Sequence, residues 1–579
     1  MSTILQSIPD VSIWGVAAHG AVLHINELPV ETYITEPLIL DVENTQDGKN
    51  AGIGFTQDGK EVYFFTNDVH KAEIKSILST IPLVGHNIKY DIQMLRKWGY
   101  DVSPDQILWD TQVMEYVFDS TRVGKYGLKS LVKERFGAAY PDFKSLTGTG
   151  KKFKDIDTLD SSILANYNGC DTLFTYKLWK LQQEQATAEH IRYWEEIELP
   201  TLRVLLEMEE RGVQIDANFI RDLDTRFTDG ISRVAASIRS VAETEINLNS
   251  HKQIKQFLLE KAGLRLQTTA AEELHKHETI PLVKSILRYR ELTKLKSTYT
   301  KPLIDKNPVQ RDFVKLDPEV NKLFYAHNLG AYRLHARFNQ CVTHTGRLSS
   351  SDPNLQNIPT RTEEGNEIRK GFIAKAWHTL VDGDFSQIEP RLMAHFSQDP
   401  NLIDIFVKGT DLYDSVASYV GCDRKVAKTL WLALAYNAGP YKIAQTAGIT
   451  LNQAQTFLEK MRLNFKEFFY WKNKAIARTE IEGGIKTMFG RFIPIAKEFA
   501  HLGPNWEIQG TASDIMKLAI QATRSYFPVI TVHDELIFEL PDGFNSNVIK
   551  EAMENVVQLS IPLKVDIGMG QTWAAAKCH

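Results

Sequence analysis

The chain has 579 residues, 43% hydrophobic and 24% charged, which is enough apolar material for several packed domains and excludes a disordered or fibrous chain. Net charge is −5, from 67 basic and 72 acidic residues, so any grip on a polyanion has to come from local basic patches. Four cysteines lie far apart without metal-knuckle spacing and no stretch approaches 18 uncharged apolar residues, which points to a cytoplasmic chain with no disulfide framework and no membrane span.

Residues 1 to about 180 alternate strand-like and helix-like runs, an α/β or α+β pattern. "PLILDVENT", "AGIGFTQ" and "EVYFFT" read as neighbouring strands, and "KAEIKSILSTI" as a helix. Asp41 and Glu43 stand two apart in the first of these strands and leave the same face. Asp91, in "GHNIKYDIQML", opens a helix-like segment. Tyr167 and Asp171, in "ANYNGCDTLFTYKLW", are four apart and share a helix face. Three carboxylates near one strand and a fourth opposite them suit two Mg²⁺ ions about 4 Å apart, which activate a water and stabilise the leaving oxygen of a phosphodiester. Each acid alone reads as a solvated residue; the ordered set D-x-E, N-x-x-x-D, Y-x-x-x-D is the stronger signal.

From about 185 to 300 the pattern is helical. "EEIELPTLRVLLEMEERG" ends on a glycine stop, and "SHKQIKQFLLEKAG" has a serine cap and a second glycine stop. "LVKSILRYRELTKLKSTYT" is a basic helix with interleaved tyrosines, carrying Lys294 and Lys296. Residues 301–345 give no clear pattern. Beyond them "LVDGDFSQIEPRLMAHFSQD" puts Asp382 and Asp384 on an apolar strand that turns to helical periodicity at Ile388-Glu389. In "DRKVAKTLWLALAYNAG", Arg424, Lys428 and Tyr436 form a slowly winding stripe, two cations and an aromatic suited to a triphosphate and a base, or simply the basic edge of an amphipathic helix. "VITVHDELIFEL" sets His533, Asp534 and Glu535 between two apolar β-branched runs. A buried turn with adjacent acids is costly unless something neutralises them, and a metal shared with Asp384 would do so; a solvated turn with acidic tips is the plainer reading.

Taken in order, "LDVENT", "HNIKYD" and "YNGCD" resemble the three motifs of the 3′→5′ proofreading exonucleases. D-F-S-Q-I-E, the R-x-x-x-K stripe ending in tyrosine, and V-H-D-E resemble the family A DNA polymerases of the DNA polymerase I large-fragment type, and the likeness runs from about residue 35 to Trp573. The resemblance implies a multidomain chain of α/β and α+β type: a ribonuclease-H-like exonuclease domain over 1–185, then a right-hand polymerase over 186–579. Its thumb would take about 190–345, its palm about 346–405 and 500–579, and its fingers about 406–499. Asp41, Glu43, Asp91 and Asp171 would hold metal at one site, with Tyr167 orienting water. Asp384 and Asp534 would hold metal at the other, with Glu535 in support. Mg²⁺ is the implied cofactor, two ions at each site, with Mn²⁺ able to substitute. Arg424 and Lys428 would take the incoming triphosphate, Lys428 also as proton donor. Gln387, Glu389, Leu432, Tyr436 and His533 would line the nucleotide, Glu389 excluding the ribose 2′-hydroxyl. Arg347, Arg361, Asn505, Gln509, Lys294 and Lys296 would contact primer–template DNA, the lysines through sequence-independent phosphate contacts. A monomer acting on DNA and deoxynucleoside triphosphates follows, in a bacterial or phage-infected cell.

Three positions depart from the family pattern. Leu432 stands where an aromatic residue is usual, Asn437 where a glycine follows the tyrosine, and Phe385 where a tyrosine is usual. Residues 301–330 are longer than the family's connection there and carry no assigned role. Only about 35 residues precede the first motif, so the 5′-nuclease domain is expected to be absent, which fits either replication of phage or plasmid type or a truncated chain. Two other functions fit parts of the pattern: a single-subunit RNA polymerase, against which Glu389 argues, and a non-catalytic DNA-binding scaffold, against which the retained acids argue.

Overall fold

The computed structural model describes residues 10–29, 37–150, 153–242, 246–305, 331–359 and 362–577. Arg361, expected to contact DNA, and residues 306–330 of the long connection lie outside them.

The N-terminal unit is built on a six-stranded sheet of order β1-β4-β3-β2-β5-β6. Its strands are β1 (Val22–Ile25), β2 (Leu38–Asn44), β3 (Asn50–Thr56), β4 (Glu61–Thr66), β5 (Leu83–Gly85) and β6 (Ile107–Asp110). β2 is central because Leu38, Ile39, Leu40 and Val42 are all buried, and it pairs antiparallel with β3 and parallel with β5. The helix Ser161–Gln185 packs across this sheet; Asp160 caps it by accepting from the Ser162 N–H at 2.9 Å.

The helix Leu199–Arg211 joins the two halves by belonging to both of their cores. Leu199, Leu202 and Leu206 pack with the core of the N-terminal sheet, while Val204, Leu205 and Met208 pack with the core of the C-terminal half. A buried polar network runs alongside. Lys517 and Glu198, both fully buried, meet at 2.5 Å, and the Tyr193 hydroxyl donates to Asp514 at 2.7 Å. Removing one partner of such a pair strands the other charge in the interior, a loss of about 3–5 kcal/mol.

The region read as helical up to residue 300 contains one strand, β7 (Val213–Asp216), directly after Gly212 ends the joining helix. Four residues between long helices are too short a window for a period of two to show. β7 pairs with β8 (Ala331–Leu334). A separate pair, β9 (Arg337–Asn339) with β10 (Ser349–Ser351), follows, and β11 (Phe372–Ile373) adds to the other edge of β7. The expected serine cap and glycine stop of the helix His251–Ala262 are present: Ser250 accepts from the Gln253 N–H, and Gly263 takes the left-handed conformation.

The C-terminal half closes on a four-stranded antiparallel sheet. It uses β12 (His378–Phe385), then, after the pair β13 (Gly484–Lys486) and β14 (Phe492–Pro494), β15 (Pro528–Val532), β16 (Glu535–Pro541) and β17 (Val565–Gly570), in the order β15-β16-β12-β17. One face of the sheet packs Val381, Phe385, Leu536 and Phe538 into the large core; the other packs Leu380 and Ile537 with Ile368, Phe372 and Trp573. Helices between Pro400 and Glu482 form a lobe whose apolar side chains belong to that same large core. Among the described residues no helix is long and apolar enough to cross a membrane.

Candidate functional site

Two groups of acids converge, one in each half. In the first, β2 projects Asp41 and Glu43 from one face, and the helix Ser161–Gln185 brings Asp171 against them. One carboxylate oxygen of each lies within 4.8 Å of the others. The amide of Asn168, one turn before Asp171, donates to Asp41 at 2.7 Å. Gly54, opposite Asp41 on β3, leaves room for this, since a Cβ there would collide with the Asn168 amide. Burial, then the charges of Asp171, Asp91 and Glu43, hold Asp41 well above the usual carboxylate range, and burial with Asp171 pushes Glu43 up to about 8. An all-oxygen donor set this crowded with like charge fits a divalent cation, which would relieve both effects.

Asp91 stands apart from that trio. It sits in the first turn of the helix Ile88–Lys97, where its Oδ1 accepts from the Val42 N–H at 3.2 Å. Asp110 fixes that helix in turn, accepting from the Ile88 N–H at 2.9 Å. Sequence reasoning assigned nothing to Asp110, nor to Lys129. The Lys129 ammonium pairs with Asp171 and lies over the rings of Tyr140 and Tyr167, at 4.0 and 4.4 Å. Tyr140 also donates to Asp171, at 2.5 Å. Lysine and tyrosine in an ordinary surface helix and loop give no local signal of this.

The second group lies at one end of the four-stranded sheet. Asp384 is near the end of β12, and β15 and β16 form a hairpin whose loop is His533-Asp534. His533 adopts φ +55, a region that non-glycine residues occupy at a cost of about 1–3 kcal/mol. The Phe385 N–H donates to the Asp534 carbonyl at 3.1 Å, stitching the loop to the strand that carries Asp384. Burial, followed by the charges of Asp534 and Glu535, raises Asp384 to about 7; burial chiefly raises Asp534. Asp384 and Asp534 are thus oxygen donors near one another in a partly desolvated setting, a fit for a divalent cation. Glu535, paired across the sheet with Asp384, is buried and accepts from the Trp573 indole N–H at 2.7 Å.

Four of the expected site residues form a single chain beside these acids. Gln509 donates to the Tyr436 hydroxyl at 3.4 Å, the hydroxyl donates to Glu389 at 3.1 Å, and Glu389 pairs with Arg347. Arg347 follows a loop that is fixed from behind, where Arg491 donates to the Thr345 carbonyl at 2.6 Å; Gly346, at φ +87, passes too close to Arg491 for a side chain. Arg347, His533 and Asp534 line one small cleft. Arg424, Lys428 and Leu432 share the helix Arg424–Ala435, and Tyr436 lies just past its end. The helix stops there because Asn437 takes φ +63 ahead of Gly439-Pro440. Arg424 is held by Asp411 at 2.8 Å, Gln387 reaches the same carboxylate at 3.3 Å, and Lys428 stands 5.4 Å above the Tyr413 ring. Asn505 shares the helix Gly503–Ala522 with Gln509. In the basic helical region, Lys294 is exposed, whereas Lys296 is ion-paired with Asp224 at 3.2 Å.

Comparison with known proteins matches the same two halves. The family described as "DNA polymerase family A" matches residues 217–575, and the one described as "3'-5' exonuclease" matches residues 40–185. The chain is 36% identical over 425 residues to the thermostable DNA polymerase I of Thermus aquaticus, covering 66% of this chain and 48% of that protein. It is 30% identical over 535 residues to DNA polymerase I of Pseudomonas aeruginosa, covering 85% and 56%. It therefore spans about half the length of these relatives. Among solved structures, the POL domain of Pol1 from M. smegmatis, in complex with DNA primer-template and dNTP, superposes with a TM-score of 0.79 at 24% identity, over 96% of this chain and 100% of that one.

Proposed function

Because the chain belongs to DNA polymerase family A and carries a 3′-5′ exonuclease domain ahead of the polymerase domain, we propose that it is a template-directed DNA polymerase that extends a primer 3′ end with deoxynucleotides and trims that end at its second site. The observation that carries this reading is the stitching of the Asp534 hairpin loop to the end of the strand that carries Asp384, far away in sequence, beside the Gln509–Tyr436–Glu389–Arg347 chain. On it, residues 1–185 are the exonuclease unit, the four-stranded sheet is the palm, the lobe that carries Arg424 is the fingers, and the helices between 190 and 345 are the thumb.

Mg²⁺, or Mn²⁺ in its place, held by Asp384 and Asp534 in the palm and by Asp41, Glu43 and Asp171 with Asp91 behind them, would supply charge that stabilises the attacking and leaving oxygens of a phosphodiester. The protein's own contribution is positioning. Arg424 and Lys428 point two cations from one helix at the triphosphate, and Lys428 can protonate the departing pyrophosphate. Leu432, Tyr436, Gln387 and His533 wall the nucleotide. Glu389 is held by Arg347 and Tyr436, so it cannot swing aside, and a fixed carboxylate there disfavours a ribose 2′-hydroxyl. Arg347, Asn505 and Gln509 face the primer–template, with Lys294 adding charge at the thumb. In the exonuclease unit Tyr167 orients the attacking water, and Lys129 offsets charge that the acids would otherwise share alone.

Primer extension with Mg²⁺ and four dNTPs tests the assignment. Extension by the unaltered chain is expected, with rNTPs strongly disfavoured; intact extension in Asp384→Ala or Asp534→Ala would overturn it. Efficient rNTP use would instead favour a single-subunit RNA polymerase.

A further inference from the structure

Asp384 does not stand alone on its face of the sheet. Glu535 is its direct partner across β16, and Asp382 lies two residues back on β12, so all three side chains leave the same side. Asp382 is fully buried and Glu535 nearly so, while Asp384 is half-exposed at the end of the strand. Three carboxylates on one partly buried face call for compensation, and the fully buried cation there is Arg369, from the helix Glu363–Lys370. Its guanidinium has no solvent exposure and makes no direct hydrogen bond among the described residues. It stacks on Trp573 with 4.0 Å to the ring centre and approaches Glu535 to 3.6 Å. Trp573, also fully buried and packed edge-on against Phe372, gives its indole N–H to Glu535 Oε1. Lys577 lies 3.5 Å from Glu535 Oε2. Both oxygens of this carboxylate are therefore engaged from beneath the sheet, two of the three contacts coming from the final helical turn of the described chain.

We propose that Arg369 and Trp573 are positioning residues that hold Glu535 down and compensate its charge, so that Asp384 and Asp534 alone present carboxylates to the incoming nucleotide. The proposal rests on the polymerase reading above. A released Glu535 would leave its charge uncompensated beside Asp384 and free to turn toward the acid pair, altering how that pair takes a divalent cation and opposing the triphosphate.

Trp573→Phe is the decisive variant. It keeps an aromatic face for Arg369 and removes the indole N–H along with a few buried ring atoms; the lost hydrogen bond to a charged group alone corresponds to about a tenfold change or more. Primer extension should show kcat down by about tenfold, with a shifted Mg²⁺ dependence. Exonuclease activity in the same chain should be unchanged, which reports that the protein is folded. Arg369→Lys, which keeps charge but loses the planar stack, should shift the Mg²⁺ dependence in the same direction. The effect acts through Glu535, so Trp573→Phe added to Glu535→Ala should bring no further loss. Unaltered kcat and Mg²⁺ dependence in Trp573→Phe would overturn the proposal. A full further loss in the Glu535→Ala background would do so too, as would parallel loss of exonuclease activity, which would make Trp573 merely structural. Absence of extension by the unaltered chain would overturn the polymerase reading instead, a separate result.

Discussion

The two acidic sites handle the same problem in opposite ways. In the exonuclease unit three carboxylates are already gathered within 4.8 Å, with the Lys129 ammonium against Asp171 as local relief. In the palm Glu535, the direct cross-strand neighbour of Asp384, is engaged from beneath the sheet by Trp573, Arg369 and Lys577, while Asp384 and Asp534 stand at the strand ends. A gathered cluster binds a dication readily but stores repulsion when none is bound. The palm acids also store repulsion, as the raised Asp384 reports, but their third carboxylate is already engaged by two cations and an indole N–H.

Independence of the two sites is the largest consequence to check. Asp384→Asn or Asp534→Asn should lower extension by roughly a thousandfold or more while leaving 3′-end digestion intact. Asp41→Ala combined with Glu43→Ala should do the reverse. Both outcomes are read from one end-labelled primer, with and without dNTPs.

Stored repulsion should appear next, as a stability difference. In the folded chain Glu43 sits at about 8 against an ordinary 4.5, so the folded state holds a proton that the unfolded state has released between those values. Stability contributed by that protonated acid is fully present at low pH and is lost as pH rises toward 8. In EDTA the exonuclease unit's thermal transition should fall by a few degrees between pH 5 and pH 8.5, on the order expected for one such group. Adding Mg²⁺ should restore it at the alkaline end, and Glu43→Gln should flatten the trend. A transition indifferent to both pH and metal would remove the contrast between the sites.

A gentler pH effect is expected in the palm. Asp384, raised to about 7, must lose its proton to accept a cation, so the Mg²⁺ concentration needed for half-maximal extension should fall as pH rises and level off above about 7. The smallest effect is expected from Leu432→Phe. It restores a flat ring on the fingers helix and should change incorporation kinetics by a few-fold, within the range of a single aromatic contact. Identical kinetics would make Leu432 a neutral replacement.

What the sequence made legible were features with a local period. Asp41 and Glu43 on β2, Tyr167 and Asp171 on one helix, and Asp384 on a strand that turns into a helix all follow from spacings of two or four. The hairpin at His533-Asp534 was legible because two β-branched runs flank it. Tyr436 was placed on the helix, and the structure sets it just beyond; the Asn437, Gly439 and Pro440 that follow were the available stop signal. Arg369, Trp573, Lys129 and Asp411 were invisible for another reason. Each acts on a residue many positions away in the chain, through strand register or helix packing that a single sequence does not encode locally.

The helix Leu199–Arg211, shared by two cores, has a practical consequence for anyone wishing to study synthesis and trimming separately. Cutting the chain on either side of it would strip a row of leucines from one fragment or leave them bare on the other, inviting aggregation. Single substitutions in the intact molecule are therefore the cleaner way to silence one activity and keep the other.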